Sequence, residues 1–249
     1  VTNDNVMKIQ EALDNLLESK NGALPSGFNR IRFLQNCKEY LRGIKDIDKH
    51  KDEDVAQLLF NGAVLGLDFL NNECHVIIEG NSIKFQTDYK GEKKLTKKYS
   101  VRPILDIYAK NVREGDEFRE EVTDGRPTVY FLPQPFNNSK IIGSFAVALF
   151  ADGGMVYETI STDEIESIRK HYGKNPNSDS WEKSQGEMYK RTVLRRLCKN
   201  IEIEFDAEQT LAFDAGSEFE FNRDPRPQQQ SPLNILEVSE VAIDETNQE

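Results

Sequence analysis

Asp88-Tyr89-Lys90 closes a stretch in which Ile83, Phe85, Thr87 and Tyr89 alternate with polar residues, the two-residue period of a strand. On a strand, Asp88 and Lys90 share one face. With an upstream acid, such a pair can hold a divalent metal beside a phosphate, as nucleases do. The same pair arises by chance on many half-buried strands, so metal-dependent cleavage is the weaker reading. Cys74 and His75 are adjacent, but no second Cys/His pair stands at zinc spacing. No G-x-x-x-x-G-K-[ST], G-x-G-x-x-G or G-x-S-x-G pattern occurs. Nucleotide hydrolysis and an elbow-type serine nucleophile therefore lack support.

The distribution of charge is more informative. The chain has 249 residues and a formal net charge of −11. From Glu202 onward, 13 carboxylates face only Arg223 and Arg226, so that segment carries the whole excess and residues 1–201 are near neutral. Within the neutral part, Lys84, Lys90, Lys93, Lys94, Lys97, Lys98, Arg102, Lys110 and Arg113 are opposed only by Asp88, Glu92 and Asp106. A second basic block, Glu187 to Lys199, reads as a helix. Val193, Leu194, Leu197 and Cys198 form its apolar arc, and Arg191, Arg195 and Lys199 form a stripe with Arg196 beside it. Lys190 projects into the apolar arc, where it either snorkels to water or reaches a groove floor or a partner subunit. Two basic concentrations on a neutral body point to a polyanion, held through phosphate contacts that need no base sequence. The alternatives are a solvated charged face and salt bridges to local carboxylates. Phe85, Tyr89, Tyr99, Tyr108, Trp181 and Tyr189 are interleaved with these cations; core packing is the better reading of them than base stacking.

These residues must be positioned by mixed elements. Helical spacing predicts helices over about 4–19, 28–41 (with Ile31, Leu34, Cys37 and Leu41 on one face) and 55–65. A strand over 83–90 ends at Gly91, and Glu92 to Ser100 reads as a short basic helix. Further strands are predicted near 103–113, 117–122, 128–132, 141–150 and 155–160, with a hairpin turn at Ala151-Asp152-Gly153-Gly154. Ser161 and Glu164 form a capping box for a helix to about His171. A polar loop over 173–180 leads to Trp181 and the basic helix. The expected fold is α+β, a small antiparallel sheet with flanking helices that form a basic groove. The expected division is 1–45 as N-terminal helices for subunit contacts, 46–205 as the core, and 206–249 as an acidic linker and disordered tail that binds a partner. No apolar run approaches the 18 to 20 residues of a membrane helix, and the start lacks the order of a signal peptide. Three scattered cysteines, Cys37, Cys74 and Cys198, argue for a reducing cytoplasm over a disulfide framework.

Several stretches, taken in order, resemble the RecT family of phage single-strand annealing proteins. They are Asn61 to Gly66 with Leu67, Gln86-Thr87-Asp88-Tyr89-Lys90-Gly91, Val112 to Phe118, Asp152-Gly153-Gly154, and Trp181 followed by Glu187 to Leu197. The resemblance runs from about 24 to 205; Ser180 stands where the family often has a proline. It implies a homo-oligomeric, ATP-independent recombinase. Such a protein coats a single strand, aligns a complement and stabilises the new duplex in a ring or filament. It also implies no catalysis, no resident cofactor (Mg2+ dependence aside), and two partners: a cognate exonuclease and the host single-strand binding protein. An annealer must hold backbones and leave base edges free, which phosphate contacts allow and base-reading contacts forbid. On this reading Lys84, Lys90, Lys93, Lys94, Lys97, Lys98, Arg102, Lys190, Arg191, Arg195 and Lys199 are the candidate DNA contacts, with Lys90, Lys190, Arg191 and Arg195 foremost. The tail recruits a partner or competes with DNA.

Overall fold

Val6, Ile9, Leu13 and Leu17 recur on one face of α1 (Asn3–Ser19), and all four are buried. α2 (Arg30–Arg42) starts at Asn29, whose side chain accepts a hydrogen bond from the Arg32 amide at 2.9 Å. Its buried face is Phe33, Cys37 and Leu41; Ile31 points to water at 72% exposure. The expected face is thus rotated, because Phe33 outweighs Ile31 in buried area. α3 (Asp52–Leu65) begins with Asp52, Glu53 and Asp54, which suit the positive end of the helix dipole, and ends on left-handed Gly66.

The rest of the chain continues as β1 (Cys74–Glu79), β2 (Ser82–Thr87), α4 (Tyr89–Tyr99), β3 (Ile104–Arg113), β4 (Glu117–Thr123), β5 (Arg126–Leu132), β6 (Ile141–Phe150), β7 (Met155–Ser161), α5 (Thr162–Tyr172), α6 (Asp179–Lys183), α7 (Gln185–Asn200) and α8 (Ala207–Gly216). This is a computed structural model that describes residues 3–123, 125–172, 177 and 179–216. The expected disorder and partner binding of the acidic tail beyond 216, and part of the polar loop over 173–180, lie outside the described residues. No helix among the described residues is long and apolar enough to cross a membrane.

The fold is α+β, and the described residues form three small antiparallel sheets in place of one: β1–β2, β3–β6–β7 and β4–β5. One core joins α1, α2, α3, the β1–β2 hairpin, Leu95 of α4 and Ala212 of α8. Residues 3–45 therefore do not form a separate unit, since α1 and α2 share this core with α3 and the β1–β2 hairpin. The tail boundary also moves: α8 buries Gln209, Ala212 and Gly216 and packs on α3 and β2, so 206–216 belong to the body.

The central sheet has two covered faces. Ile107, Ala146, Ala148 and Ile160 pack with Ile165 of α5 and with Tyr189, Val193 and Leu197 of α7. Val112, Phe145 and Val147 meet Phe118, Val129 and Phe131 of the β4–β5 hairpin. Half of the capping box is present: the Glu164 amide donates to Ser161 Oγ at 3.2 Å, while the Glu164 carboxylate accepts from Arg196 at 2.6 Å. Trp181 packs on this core, 6.3 Å from the Tyr189 ring.

The strand expected to reach Lys90 stops at Thr87. Asp88 takes the cap position of α4, and its carboxylate accepts from the Lys90 amide at 3.3 Å. Asp88 and Lys90 therefore do not share a strand face. Gly91 does not terminate anything; it lies inside α4, where a Cβ would stand 2.1 Å from the Glu73 carbonyl oxygen.

Candidate nucleic-acid interface

The geometry begins with α4, which carries Lys90, Lys93, Lys94, Lys97 and Lys98 within eleven residues. Its inner face is Gly91, Glu92, Leu95 and Thr96, all buried, so the lysines fall on the outer side. Lys90, Lys94, Lys97 and Lys98 are exposed and Lys93 is half-buried. From Lys90 to Lys97 the helix rises about 10 Å.

What holds α4 in this orientation is a ladder to α7. Arg191 Nη2 lies 2.6 Å from Asp88 Oδ2, and its guanidinium sits 4.9 Å from the centre of the Tyr89 ring. One turn on, Arg195 forks onto Glu92, with Nη2 to Oε1 at 2.7 Å and Nε to both oxygens at 3.0 and 3.1 Å. Arg195 Nη2 also donates to the Thr87 carbonyl at 3.1 Å. Glu92 is buried, at 4% exposure, and Arg195 is nearly so, at 14%. Thr87 Oγ1 completes the site by donating to Glu92 Oε1 at 3.2 Å. Burial works against ionisation of Asp88, but the His75 imidazole beside it and the Arg191 charge outweigh burial and hold its carboxyl below the usual carboxylate range. Cys198, on the same interface, has its thiol pushed up to about 11 by burial.

The arginine stripe expected to line a groove is therefore turned largely inward. Arg195 gives its fork to a buried carboxylate, and Arg191 gives one nitrogen to Asp88 while keeping partial exposure. Lys190 is half-buried rather than in the core. It follows the helix surface to Glu187, one turn back, at 2.6 Å. Lys199 is exposed on the last turn of α7. Lys94 latches the loop after α3, donating to Glu73 Oε2 at 2.6 Å and to the Gly66 carbonyl at 2.9 Å. Lys98 sits 4.8 Å from the Tyr99 ring centre. Lys84, on β2, faces Glu79 at 3.8 Å.

Arg102 lies apart, forked onto Asp152 at 2.7 and 2.9 Å and stacked over Phe150 at 3.9 Å. A Cβ at Gly154 would stand 2.6 Å from Arg102 Nη2, so the Asp-Gly-Gly turn is the seat of this arginine. On α4, Lys90, Lys93, Lys97 and Lys98 show no ion pair with a carboxylate among the described residues, and of these Lys98 lies over the Tyr99 ring. No cluster of His, Cys, Asp or Glu among the described residues could hold a metal ion.

Sequence reasoning missed Asp88, Glu92 and Glu73 as the parts that aim the lysines. A signal was present: Asp88 and Glu92 are four apart, as are Arg191 and Arg195, so two helices carry matching ladders.

An α+β frame with an outward lysine face suits a polyanion, and comparison with known proteins agrees in class. The chain belongs to the RecT family, whose model matches residues 32–227; these are single-strand annealing proteins of DNA recombination. Protein RecT of Escherichia coli (strain K12) is 30% identical over 111 residues, which is 45% of this chain and 40% of that protein. The aligned region thus spans well under half of that relative.

Proposed function

We propose that this chain binds single-stranded DNA along the outer face of α4 and anneals it to a complement without ATP, as a homo-oligomer. The carrying observation is the division of labour among its cations. The α7 arginines serve as internal counter-ions for Asp88 and Glu92, which leaves Lys90, Lys93 and Lys97 to meet phosphates. Contacts of lysine with backbone leave base edges open for pairing. Pairing and stacking supply the free energy, so no nucleotide hydrolysis is needed. Lys84, Lys190 and Lys199 extend the same basic surface, while Lys94, Arg102, Arg191 and Arg195 act chiefly in positioning. The partners proposed from the family are a cognate exonuclease that exposes the strand and the host single-strand binding protein, in the cytoplasm of a bacterial or phage-infected cell.

The test is sequential addition of two complementary oligonucleotides to the full chain. Annealing predicts one stable complex holding both strands, formed with ATP absent. A complex that accepts the first strand and excludes the second marks a passive binder and rejects the proposal.

A further inference from the structure

Phe136 stands fully in water, at 99% exposure, with a left-handed backbone at φ 56°. A bulky residue in that region is rare and is held only by its surroundings. Here Asp116 does the holding. Its Oδ2 accepts from the Arg113 amide at 2.8 Å, and its Oδ1 accepts from the Gln134 amide and from Asn137 Nδ2, both at 2.9 Å. Asn137 Nδ2 also donates to the Glu114 carbonyl at 3.0 Å, and Asn137 Oδ1 accepts from the Ser139 amide at 2.9 Å. A braced turn that presents one bare ring is an anchor without its pocket. On the outer face of β5, Tyr130 and Leu132 are also exposed, at 40% and 54%.

We propose that Phe136 anchors self-association by entering the groove between α1 and α3 of a second copy. This deepens the oligomeric part of the function proposed above and rests on it. The surroundings disfavour a nucleic acid as the occupant: Arg113 and Lys140 are outnumbered by Glu114, Asp116 and Glu117. Arg113 is moreover turned onto the Ser139 carbonyl. The groove, of about 720 Å³, offers Ala12 and Leu16 as its apolar part and Glu18, Glu53 and Gln57 on its rim. Glu18 is paired with Arg30 at 3.2 Å, which leaves Glu53 to meet Lys140, the one charged residue of segment 133–140. The anchor belongs to the hairpin side of the sheet and the groove to the helical core. The contact is therefore head-to-tail, and each copy retains one unused anchor and one unused groove for growth into a ring or filament.

Two experiments test this on the full chain. In sedimentation, Phe136→Ala is expected to raise the concentration for half-assembly by roughly tenfold or more. Its affinity for an oligonucleotide short enough for one copy should not change. Phe136→Gly, which relieves the left-handed strain, should melt no lower than the parent yet assemble as poorly as Phe136→Ala. In oxidative cross-linking, a mixture of Phe136→Cys and Gln57→Cys chains should give a mixed dimer. Cys37, Cys74 and Cys198 are buried and should not interfere. Unchanged assembly of Phe136→Ala overturns the proposal. So does a Phe136→Cys chain that cross-links to itself and not to Gln57→Cys. Loss of quenching of a fluorescent base with assembly intact also overturns it, in favour of a nucleobase. A chain that assembles through Phe136 but rejects a second strand would sink annealing and leave this contact standing.

Discussion

Gly91 and Asp88 show how much of α4 depends on single atoms. Gly91 has no need of an unusual backbone; its role is closeness, since Glu73's carbonyl oxygen occupies the place of a Cβ. The same carbonyl accepts the Asp88 amide at 2.9 Å, so helix and loop are joined at one point. Gly91→Ala should force backbone apart and lower the melting temperature, the opposite sign to an exposed helical Gly→Ala, which normally stabilises by about 1 kcal/mol. Thermal denaturation followed by circular dichroism reads the sign directly. Asp88 adds a pH dependence. Its folded-state pKa lies below the ordinary value of about 3.9, so its ionised form contributes stability above about pH 4. That contribution is lost as the pH falls through the folded-state pKa. Asp88→Asn keeps a helix cap but removes the charge facing Arg191. The variant should be less stable by about 2 kcal/mol at pH 7, and the gap should close below pH 4. Urea midpoints between pH 7 and pH 2.5 test this; a gap independent of pH would mean the cap alone matters.

At the scale of elements, the α4–α7 contact is a ladder of two rungs, and the inner rung is the stronger constraint. Removing one partner of a buried ion pair leaves the other charge stranded, at about 3–5 kcal/mol. Arg195→Ala should therefore destabilise the chain by roughly that amount, and Arg195→Lys should not restore it, because an ammonium cannot reproduce the fork. Replacing both partners by Arg195→Met and Glu92→Leu should recover much of the loss in a chemical denaturation series. Failure of the double variant to recover would show that Thr87 and its neighbours need the charged group itself. This ladder also marks the limit of what was legible in the sequence. The amphipathic helices and the long strands could be read, because period and burial are local properties. The end of β2 could not, because the alternation of Ile83, Phe85, Thr87 and Tyr89 runs unbroken past the point where Asp88 turns to cap a helix. α8 was hidden because Leu211, Ala212 and Phe213 form no clean stripe among acidic neighbours. The inward turn of Arg191 and Arg195 was missed because their partners lie 103 residues away, and a cationic stripe looks the same whether it meets phosphate or carboxylate.

For the whole molecule, affinity for a polyanion must arise from segregation of charge, since the net charge of −11 repels one. The lysine face of α4 supplies that segregation, and it can be separated from the ladder beneath it. Lys90, Lys93 and Lys97 have no carboxylate partner among the described residues, so changing all three to Ala removes surface charge and keeps helix propensity. Each phosphate neutralised on a single strand contributes about 0.7 to the slope of log K against log salt. The triple variant should therefore flatten the slope by about 2, weaken binding most at low salt, and melt near the parent temperature. Arg195→Ala should do the reverse, with a lower melting temperature and a slope close to the parent's at temperatures where it remains folded. Anisotropy titrations of a labelled single strand over 50 to 300 mM salt, beside thermal melts of the same preparations, separate the two effects. If the triple variant keeps the parent slope while Arg195→Ala loses it, then the inward-turned arginine reaches DNA through a rearranged helix pair. The division between an outer face that binds and an inner ladder that positions would then be wrong.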